Sequence, residues 1–448
     1  MKAYFLQYKN TLVTLLSLSI IALATLLYIL RVKVSGHYYG NTDFFTFYES
    51  MRFYFSGQNI YSPILIENDK LHSILTKYGN LNPPFFTILL LPLYFFNYAN
   101  ALEIWTLLSL LSLFISIHII LNQFKHFQPH RLIITAGFLI YIVNSESISY
   151  GQVSNFILLL IAGSWVLGRT HKDVSAGILI ALACAIKLFC GLFLIYFLVV
   201  HRFKLFFSAV ITGILIFLIT LYLFGIKSYI SYLNTLQHVS WYAESWSVSF
   251  KSFIMRIFSP TENNFALFNF PHLAQFLIIF LSISLVVWLI KTWSELTTLR
   301  DRKLSFDCGF SLVILSMLLL SPLGWTYYFN IFIIPYLLLI KESRDDKIHL
   351  TCCFLLFINS FSGSLLKTYE IKNTAQILYN GGIGFYVMVI MLILTIRLSY
   401  QRISLVPNQN SPQKFISIPL WWFIYGIAFV PSVISQLNVI KNMIELSV

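Results

Sequence analysis

Long apolar segments alternate with short polar ones along almost the whole chain. The apolar segments recur from Thr11 to Val433, and no polar stretch between them is long enough to form a soluble domain. A helix that crosses a bilayer needs about 20 mostly apolar residues, and many of these segments reach or approach that length. The pattern predicts an all-α polytopic membrane protein, a bundle of about 11–13 transmembrane helices that forms one integral membrane domain.

Basic residues between the segments set the predicted topology, because short loops rich in Lys and Arg stay in the cytoplasm. The first apolar run, Thr11 to Leu30, follows Lys2 and Lys9 and has no cleavage site of small residues. We therefore expect a retained first span with a cytoplasmic amino end. The expected divisions of the single domain 1–448 are a first span (1–32), a first outer loop with juxtamembrane helices (33–100), core spans (101–224), a second outer loop (225–271) and C-terminal spans (272–448).

One apolar segment of the first outer loop is too short to cross a membrane. It runs from Asn82 to Phe96 (NPPFFTILLLPLYFF), and Pro92 interrupts it. We expect this segment to form a helix that lies at the outer membrane interface.

The segment from Ser175 to Val200 is apolar except for a single charge, Lys187. Basic residues flank it on both sides, so both ends are predicted to be cytoplasmic and the chain goes out and returns, with Lys187 at the outer turn. Each arm of about 12 residues rises only ~18 Å, less than the ~30 Å of the hydrocarbon layer. The turn is therefore expected below the outer surface, where it lines a cavity that opens outward.

Composition supports this class and argues against several others. Hydrophobic residues make up 58% of the chain and charged residues only 10%, with a mean hydropathy of +0.77, which is more apolar surface than a soluble core can bury. The net charge of +13 comes from loops between apolar runs, so nucleic-acid binding is not expected. The five cysteines lack the spacing of a zinc site, and no clustered metal ligands or Gly-rich phosphate loop occur.

Asp43 is the first candidate for chemistry, because it is flanked by aromatic residues just beyond the first span. A carboxylate against an apolar wall can have its pKa raised toward that of a useful general base. The alternative is a structural role, since Asn41, Thr42 and Asp43 are all good residues for starting a helix. The local sequence leaves both interpretations open.

Lys187 is the second candidate. A buried ammonium group needs an anionic partner, and a phosphate would serve. The alternative is a structural carboxylate such as Glu146, or a backbone carbonyl. An ionisable residue near membrane depth is nevertheless a functional hypothesis by default.

The third candidate is the second outer loop, where Ile230 to Phe258 combines His238, Arg256 and two tryptophans, and Trp325 of a later outer turn is expected to join it. Aromatic surfaces with scattered polar groups suit sugar rings. The alternative is a membrane-interface belt, where Trp and Tyr also collect.

Several motifs in a fixed order carry a resemblance to a known family. They are Asp43 in the first outer loop, SGQNIY (56–61), NPPFFTILLLPL (82–93), GQVSN (151–155), AGILIALACAIK (176–187) and SPLGW (321–325). This order resembles glycosyltransferase family 87 of the GT-C superfamily, whose members take a sugar, typically mannose, from a polyprenyl phosphate. The chain departs from the family in having Leu188 where proline often follows the lysine, and Tyr327 and Tyr328 where histidine tends to follow the tryptophan motif.

The resemblance implies a GT-C-like bundle and a role for each candidate. Asp43 matches the family's general base and Lys187 the lysine near the donor phosphate, where Arg256 or Arg52 is expected to assist. We further expect substrate contacts from four residues: His238, Gln152, Trp325 and Tyr327. One-step displacement would invert the anomeric configuration, and side-chain cations would replace a metal, so neither a metal nor a cofactor is expected.

The expected partners are a polyprenyl-phosphate monosaccharide, a glycan or glycolipid acceptor and the lipid bilayer. The expected location is the cell (inner) membrane, with the active site on the periplasmic, extracytoplasmic face. Two alternatives stay open. A lipid-linked sugar transporter or flippase would favour inverted repeats, which the sequence lacks, and an oligosaccharide ligase would use the same face.

Overall fold

The chain folds almost entirely into helices. The computed structural model describes residues 2–36, 42–68, 73–77, 79–239, 241–244, 246–260, 266–343, 346–359 and 374–404. The helices are α1 (Lys2–Gly36), α2 (Asp43–Phe55), α3 (Pro84–Leu90), α4 (Tyr98–Asn122), α5 (Arg131–Ile140), α6 (Ile142–Ser149), α7 (Ser154–Arg169), α8 (Asp173–Ile186), α9 (Leu192–Val199), α10 (Phe203–Gln237), α11 (Phe250–Phe258), α12 (Pro271–Leu296), α13 (Arg302–Leu320), α14 (Ile333–Glu342), α15 (Asp346–Asn359) and α16 (Thr374–Ser404). Short 3₁₀ segments cover Leu91–Phe95, Lys125–His130, Leu188–Gly191, Trp241–Ala243 and Thr326–Phe332.

Six helices of the described residues are long and apolar enough to cross a membrane. They lie at Thr11–Lys33, Tyr98–Asn122, Phe203–Gln237, Pro271–Leu296, Arg302–Leu320 and Gly382–Gln401. A seventh results if α5 and α6, bent by 53° where they meet, form one broken span. The all-α polytopic membrane class is thus confirmed. The predicted linker 407–414 and the last apolar run, 416–433, lie outside the described residues.

Burial separates a central helix from peripheral ones. In α13, 83% of the most apolar window is buried, against 17% in α1 and α10 and 11% in α12. The peripheral helices therefore present large apolar side chains outward, among them Phe217, Ile279 and Val287. A surface of this kind is stable when lipid rather than water surrounds it.

The predicted hairpin around Lys187 is present. Helix α8 leads to Lys187, a 3₁₀ segment turns the chain, and α9 returns. Arg202, just beyond α9, pairs with Asp173 at the start of α8 and donates to the Gly168 carbonyl at 2.8 Å. Both ends of the hairpin therefore lie together, as the basic flanks predict.

The same end of the molecule collects further charged residues. The Arg169 Nε lies 2.9 Å from the Asp307 carboxylate, and the Trp165 indole donates to the same oxygen at 2.9 Å. Asp307, near the start of α13, also interacts electrostatically with Lys341, near the end of α14. The end of α14 therefore lies near the start of α13. We call the end of the bundle that contains Asp307, Arg169 and Lys341 the Asp307 end.

The first predicted outer loop contains short elements. Besides α2 and α3 it holds an antiparallel hairpin of β1 (Ile64–Asn68) and β2 (Ser73–Lys77), in which Ile64 pairs with Lys77; the sequence analysis had not predicted these strands. Helix α3 starts at Pro84, where proline is favoured because its missing N–H has no helical partner to lose. The short helix expected between Asn82 and Phe96 is confirmed, and its place at the membrane interface stays a prediction.

Candidate active site

Asp43 stands at the first position of α2, and a turn of another segment holds it there. The backbone N–H groups of Asp43 and Phe44 both donate to the Tyr150 carbonyl, at 3.0 and 3.2 Å. The first N–H groups of a helix have no carbonyl acceptor within the helix, and the Tyr150 carbonyl accepts from two of them here. The Asp43 carboxylate in turn accepts a hydrogen bond from the Gln152 side-chain amide. One turn thus fixes both the backbone and the carboxylate of Asp43.

Gly151 lies at the centre of this turn, and only glycine fits there. Its φ is +65°, in the left-handed region that L side chains rarely adopt, and a Cβ would lie 2.6 Å from the Phe44 Cβ. The Gly151 carbonyl accepts from the Trp105 indole at 2.8 Å, and the Gln152 N–H donates to the Ser147 carbonyl at 2.7 Å. The turn is therefore held against α4 and α6 and presses directly on the start of α2.

Replacing Gly151 by alanine should displace Asp43. The left-handed conformation costs about 1–3 kcal/mol in a non-glycine residue, and the clash with Phe44 adds to this. We expect a lower thermal transition of the purified protein together with slower sugar transfer. Gly213→Ala in α10 is the control, since nothing lies within 4 Å of its added Cβ. Equal thermal transitions and equal rates for both variants would contradict this account of the turn.

Lys187 ends α8 in an extended conformation (φ −143°, ψ 115°) and is 9% exposed. Its ammonium lies 5.3 Å from the centre of the Trp325 ring and 5.9 Å from that of Tyr328. The electron-rich faces of aromatic rings stabilise a cation that has left water. No salt bridge to Lys187 occurs within the described ranges, but Asp43 and Cys190 interact with it electrostatically. Asp43 is therefore a carboxylate whose charge acts on Lys187.

Pairing between two distant loops brings Trp325 over Lys187. Ser247 and Trp325 form an antiparallel bridge, which is flanked by hydrogen bonds from Val248 N to Gly324 O (2.7 Å) and from Thr326 N to Trp246 O (2.9 Å). The turn at 321–325 is tight, since a Cβ on Gly324 would lie 2.3 Å from the Leu318 carbonyl oxygen. The second outer loop thus fixes the turn that carries the aromatic residues.

The aromatic residues of this turn surround the two charges. Tyr327 and Tyr328 are buried and interact electrostatically with Asp43. Burial raises the pKa of both phenols, so they are neutral at pH 7. The Trp325 Nε1 and the Tyr328 hydroxyl are buried and have no hydrogen-bond partner in the described part of the chain. Buried donors are normally satisfied, so these two unpaired donors are an exception within the described part of the chain.

The structure therefore brings five of the predicted residues together: Asp43, Gln152, Lys187, Trp325 and Tyr327. The other three make bonds elsewhere. Arg52 has a half-exposed side chain that pairs with Glu49 at 3.1 Å. His238 is exposed at the end of α10, with its Nδ1 2.7 Å from the Asn234 carbonyl oxygen.

Arg256 is buried in α11 and organises the second outer loop. Its Nη1 donates to the carbonyls of Glu244 (2.9 Å), Ser247 (3.0 Å) and Ala243 (3.4 Å). Since Ser247 pairs with Trp325, Arg256 supports the aromatic wall of the site through this loop. In the same loop the Lys251 ammonium lies 3.1 Å from the centre of the Tyr242 ring, and burial lowers the pKa of Lys251 to about 8.

Replacing Arg256 by methionine should destabilise the loop. A buried acceptor that loses its partner costs about 1–3 kcal/mol, and three carbonyls share this donor. We expect a clearly lower thermal transition, whereas Arg52→Met removes a half-exposed guanidinium whose described ion pair is with Glu49 and should change it less. Lost donor binding in Arg256→Met with an unchanged thermal transition would instead favour direct contact between Arg256 and the donor phosphate.

Sequence reasoning missed two residues near this site. Tyr328 was noted only as a departure from the family pattern, and nothing local distinguishes it from Tyr327. Arg31 lies near the end of the predicted first span, without a predicted role, and it interacts electrostatically with Glu146 and Tyr150 beside the Gly151 turn. Its Nε is buried without a partner among the described residues. A cation at the end of a span is also typical of a membrane-interface residue, so no local pattern singles out Arg31.

Comparison with known proteins now adds the family. The family model for glycosyltransferase family 87 matches residues 80–322, more than half of the chain. The chain belongs to glycosyltransferase family 87. It is therefore a membrane glycosyltransferase, which confirms the resemblance drawn from the motifs. The matched region contains Gln152 and Lys187, while Asp43 precedes it and Trp325 follows it. Neither a search of curated proteins nor a search of solved structures gave a match.

Proposed function

We propose that this glycosyltransferase moves one monosaccharide, mannose or a similar hexose, from a polyprenyl-phosphate donor to an acceptor hydroxyl on the outer face of the cell membrane. The observation that carries the proposal is the meeting of Asp43 and Lys187 in one site lined by Trp325, Tyr327 and Tyr328. Transfer from a phosphate requires a base and a cation in one site.

In this mechanism Asp43 takes the proton of the acceptor hydroxyl as its oxygen attacks the anomeric carbon. The bond between that carbon and the phosphate oxygen breaks, and the lipid phosphate leaves with the electron pair. Lys187 stabilises the departing charge. A single displacement of this kind inverts the anomeric configuration.

The neighbouring residues take supporting roles. Gln152 holds the Asp43 carboxylate toward the acceptor through its amide. The Trp325 indole and the Tyr328 hydroxyl supply the two free donors, which can bind sugar hydroxyls or phosphate oxygens. Tyr327 lies with its ring 5.3 Å from that of Trp325 and adds an apolar face for the sugar. Roles for Arg52, Arg256 and His238 in substrate binding stay predictions.

The location of the site supports the outer face. The Asp307 end carries the basic loops, which the positive-inside rule assigns to the cytoplasm. Lys187 lies at the far end of the 14-residue helix α8, about 21 Å along its axis from that level. An active site there opens toward the opposite face, where a lipid-linked donor rather than a soluble nucleotide sugar is the available substrate class.

The direct test is an assay of the purified full-length protein with polyprenyl-phosphate mannose and candidate acceptors. We expect release of free polyprenyl phosphate together with a glycosylated product of inverted configuration, and the same rate after chelation of divalent metals. A transporter would release no lipid phosphate, and an oligosaccharide ligase would act only on a lipid-linked oligosaccharide. Either result would overturn the proposal.

A further inference from the structure

A cavity lined by polar and apolar residues lies away from the candidate active site, beside the first span. It has a volume of about 360 Å³ and is partly open to the surroundings. Residues Val13, Thr14 and Ser17 of α1 form one wall, and residues 128–133, where the chain enters α5, form the other. A volume of this size is at the lower end of the range for small-molecule sites, roughly 300–1,000 Å³.

The lining of this cavity carries positive charge. His130 and Arg131 contribute side chains, and none of the nine lining residues is acidic. Arg131 donates through Nη2 to the Asn122 side chain, while its Nε is buried and has no hydrogen-bond partner within the described ranges. A guanidinium that lines a cavity without acidic residues favours an anionic ligand, and phosphate is well matched to arginine.

The position of the cavity indicates the source of a phosphate that would bind there. The candidate span in α1 begins at Thr11, so Val13, Thr14 and Ser17 lie within about 3–9 Å of its start, in the part of the span nearest the lipid headgroups. Around them the apolar side chains of Leu12, Leu16 and Leu132 are exposed and can contact acyl chains. The positive-inside rule assigns this level to the cytoplasmic leaflet, where anionic lipids collect.

We propose that this cavity binds the phosphate of an anionic phospholipid. Arg131 and His130 contact the headgroup, and the acyl chains run along the exposed leucines of α1. Basic pockets between membrane helices at the cytoplasmic surface are suited to such headgroups. This site is independent of the transfer reaction, because it lies against α1 and α5 and shares no lining residue with the candidate active site.

The test counts lipids that stay bound to the full-length protein. The protein is purified in detergent with added phosphatidylglycerol, and bound copies are measured by native mass spectrometry. Arg131→Gln should lower the fraction of protein that retains one phosphatidylglycerol molecule about tenfold, since a charged hydrogen bond is lost. Thr14→Leu should lower it as well, because the leucine narrows the cavity and leaves Arg131 and His130 in place.

Control variants distinguish a specific lipid site from nonspecific electrostatic attraction of anionic lipids to the protein. Lys204→Gln removes an exposed cation at the same predicted membrane face and should leave occupancy unchanged. An equal loss in this control, or retention of the lipid in both cavity variants, would overturn the proposal. Uncharged phosphatidylcholine should be retained less than phosphatidylglycerol. Thermal stabilisation by inorganic phosphate equal to that by the lipid would assign the cavity to a soluble anion instead.

Discussion

Asp43→Asn should reduce sugar transfer by about 10²- to 10⁴-fold, the usual range for loss of a general base. The amide keeps the size of the carboxylate and its place at the first position of α2, and the backbone bonds to Tyr150 do not depend on the side chain. Donor binding should therefore change little, and the effect should fall on kcat. Initial rates and donor affinity measured on the same purified variant separate the two.

Glu49→Gln is a matched control on the same helix. Glu49 is a buried carboxylate of α2 that pairs with Arg52, and it has no role in the proposed reaction. The change to an amide is chemically the same as in Asp43→Asn, so transfer should stay close to the wild-type rate. A variant Asp43→Asn that works within threefold of wild type would end the assignment of Asp43 as the base.

Lys187→Ala should weaken binding of the lipid donor by about 10- to 150-fold, the equivalent of one charged hydrogen bond of about 1.5–3 kcal/mol. The loss should appear as higher Kd and KM for the donor. Folding should not suffer, because the substitution removes a buried charge that forms no salt bridge within the described ranges. Lys187→Met, which also fills the space beside the rings of Trp325 and Tyr328, should behave in the same way. Binding of a labelled polyprenyl phosphate and thermal unfolding measure the two quantities.

Lys251→Met is the matched control for this cation. Lys251 also lies over an aromatic ring, that of Tyr242, and belongs to the loop that supports the site. Its removal should leave donor affinity nearly unchanged, since it is not placed beside Asp43. If both variants lose affinity equally, the effect reflects the charge of the region, and the specific role of Lys187 is contradicted.

The sequence was most informative where an isolated charge interrupts an apolar segment. Lys187 could be assigned to a hairpin turn because basic residues flank it on both sides, and the contact between Arg202 and Asp173 bears this out. The physical reason is that the cost of burying charge in lipid restricts where a charged residue can lie. Helical structure was predictable for a similar reason, since the backbone must satisfy its own hydrogen bonds within a membrane.

The partners within the site could not be found in this way. The contact between Gln152 and Asp43 joins residues 109 positions apart, and the pairing of Ser247 with Trp325 joins two loops on either side of α12 and α13. Neither contact leaves a periodic pattern, because each depends on how whole helices pack. Arg256 illustrates the consequence, since its charge suggested a phosphate ligand while its described hydrogen bonds run to backbone carbonyls.

By itself the sequence determined the class of protein, the hairpin and the two charged residues of the proposed reaction, because apolar length and isolated charge are local properties that a bilayer constrains strongly. Only the tertiary structure decided that Asp43 and Lys187 act on each other and that Trp325 and Tyr328 enclose the lysine. It also decided that Gly151 sets the position of Asp43. These relations depend on distances between helices, which follow from side-chain packing over the whole bundle. No single segment of the sequence predicts them.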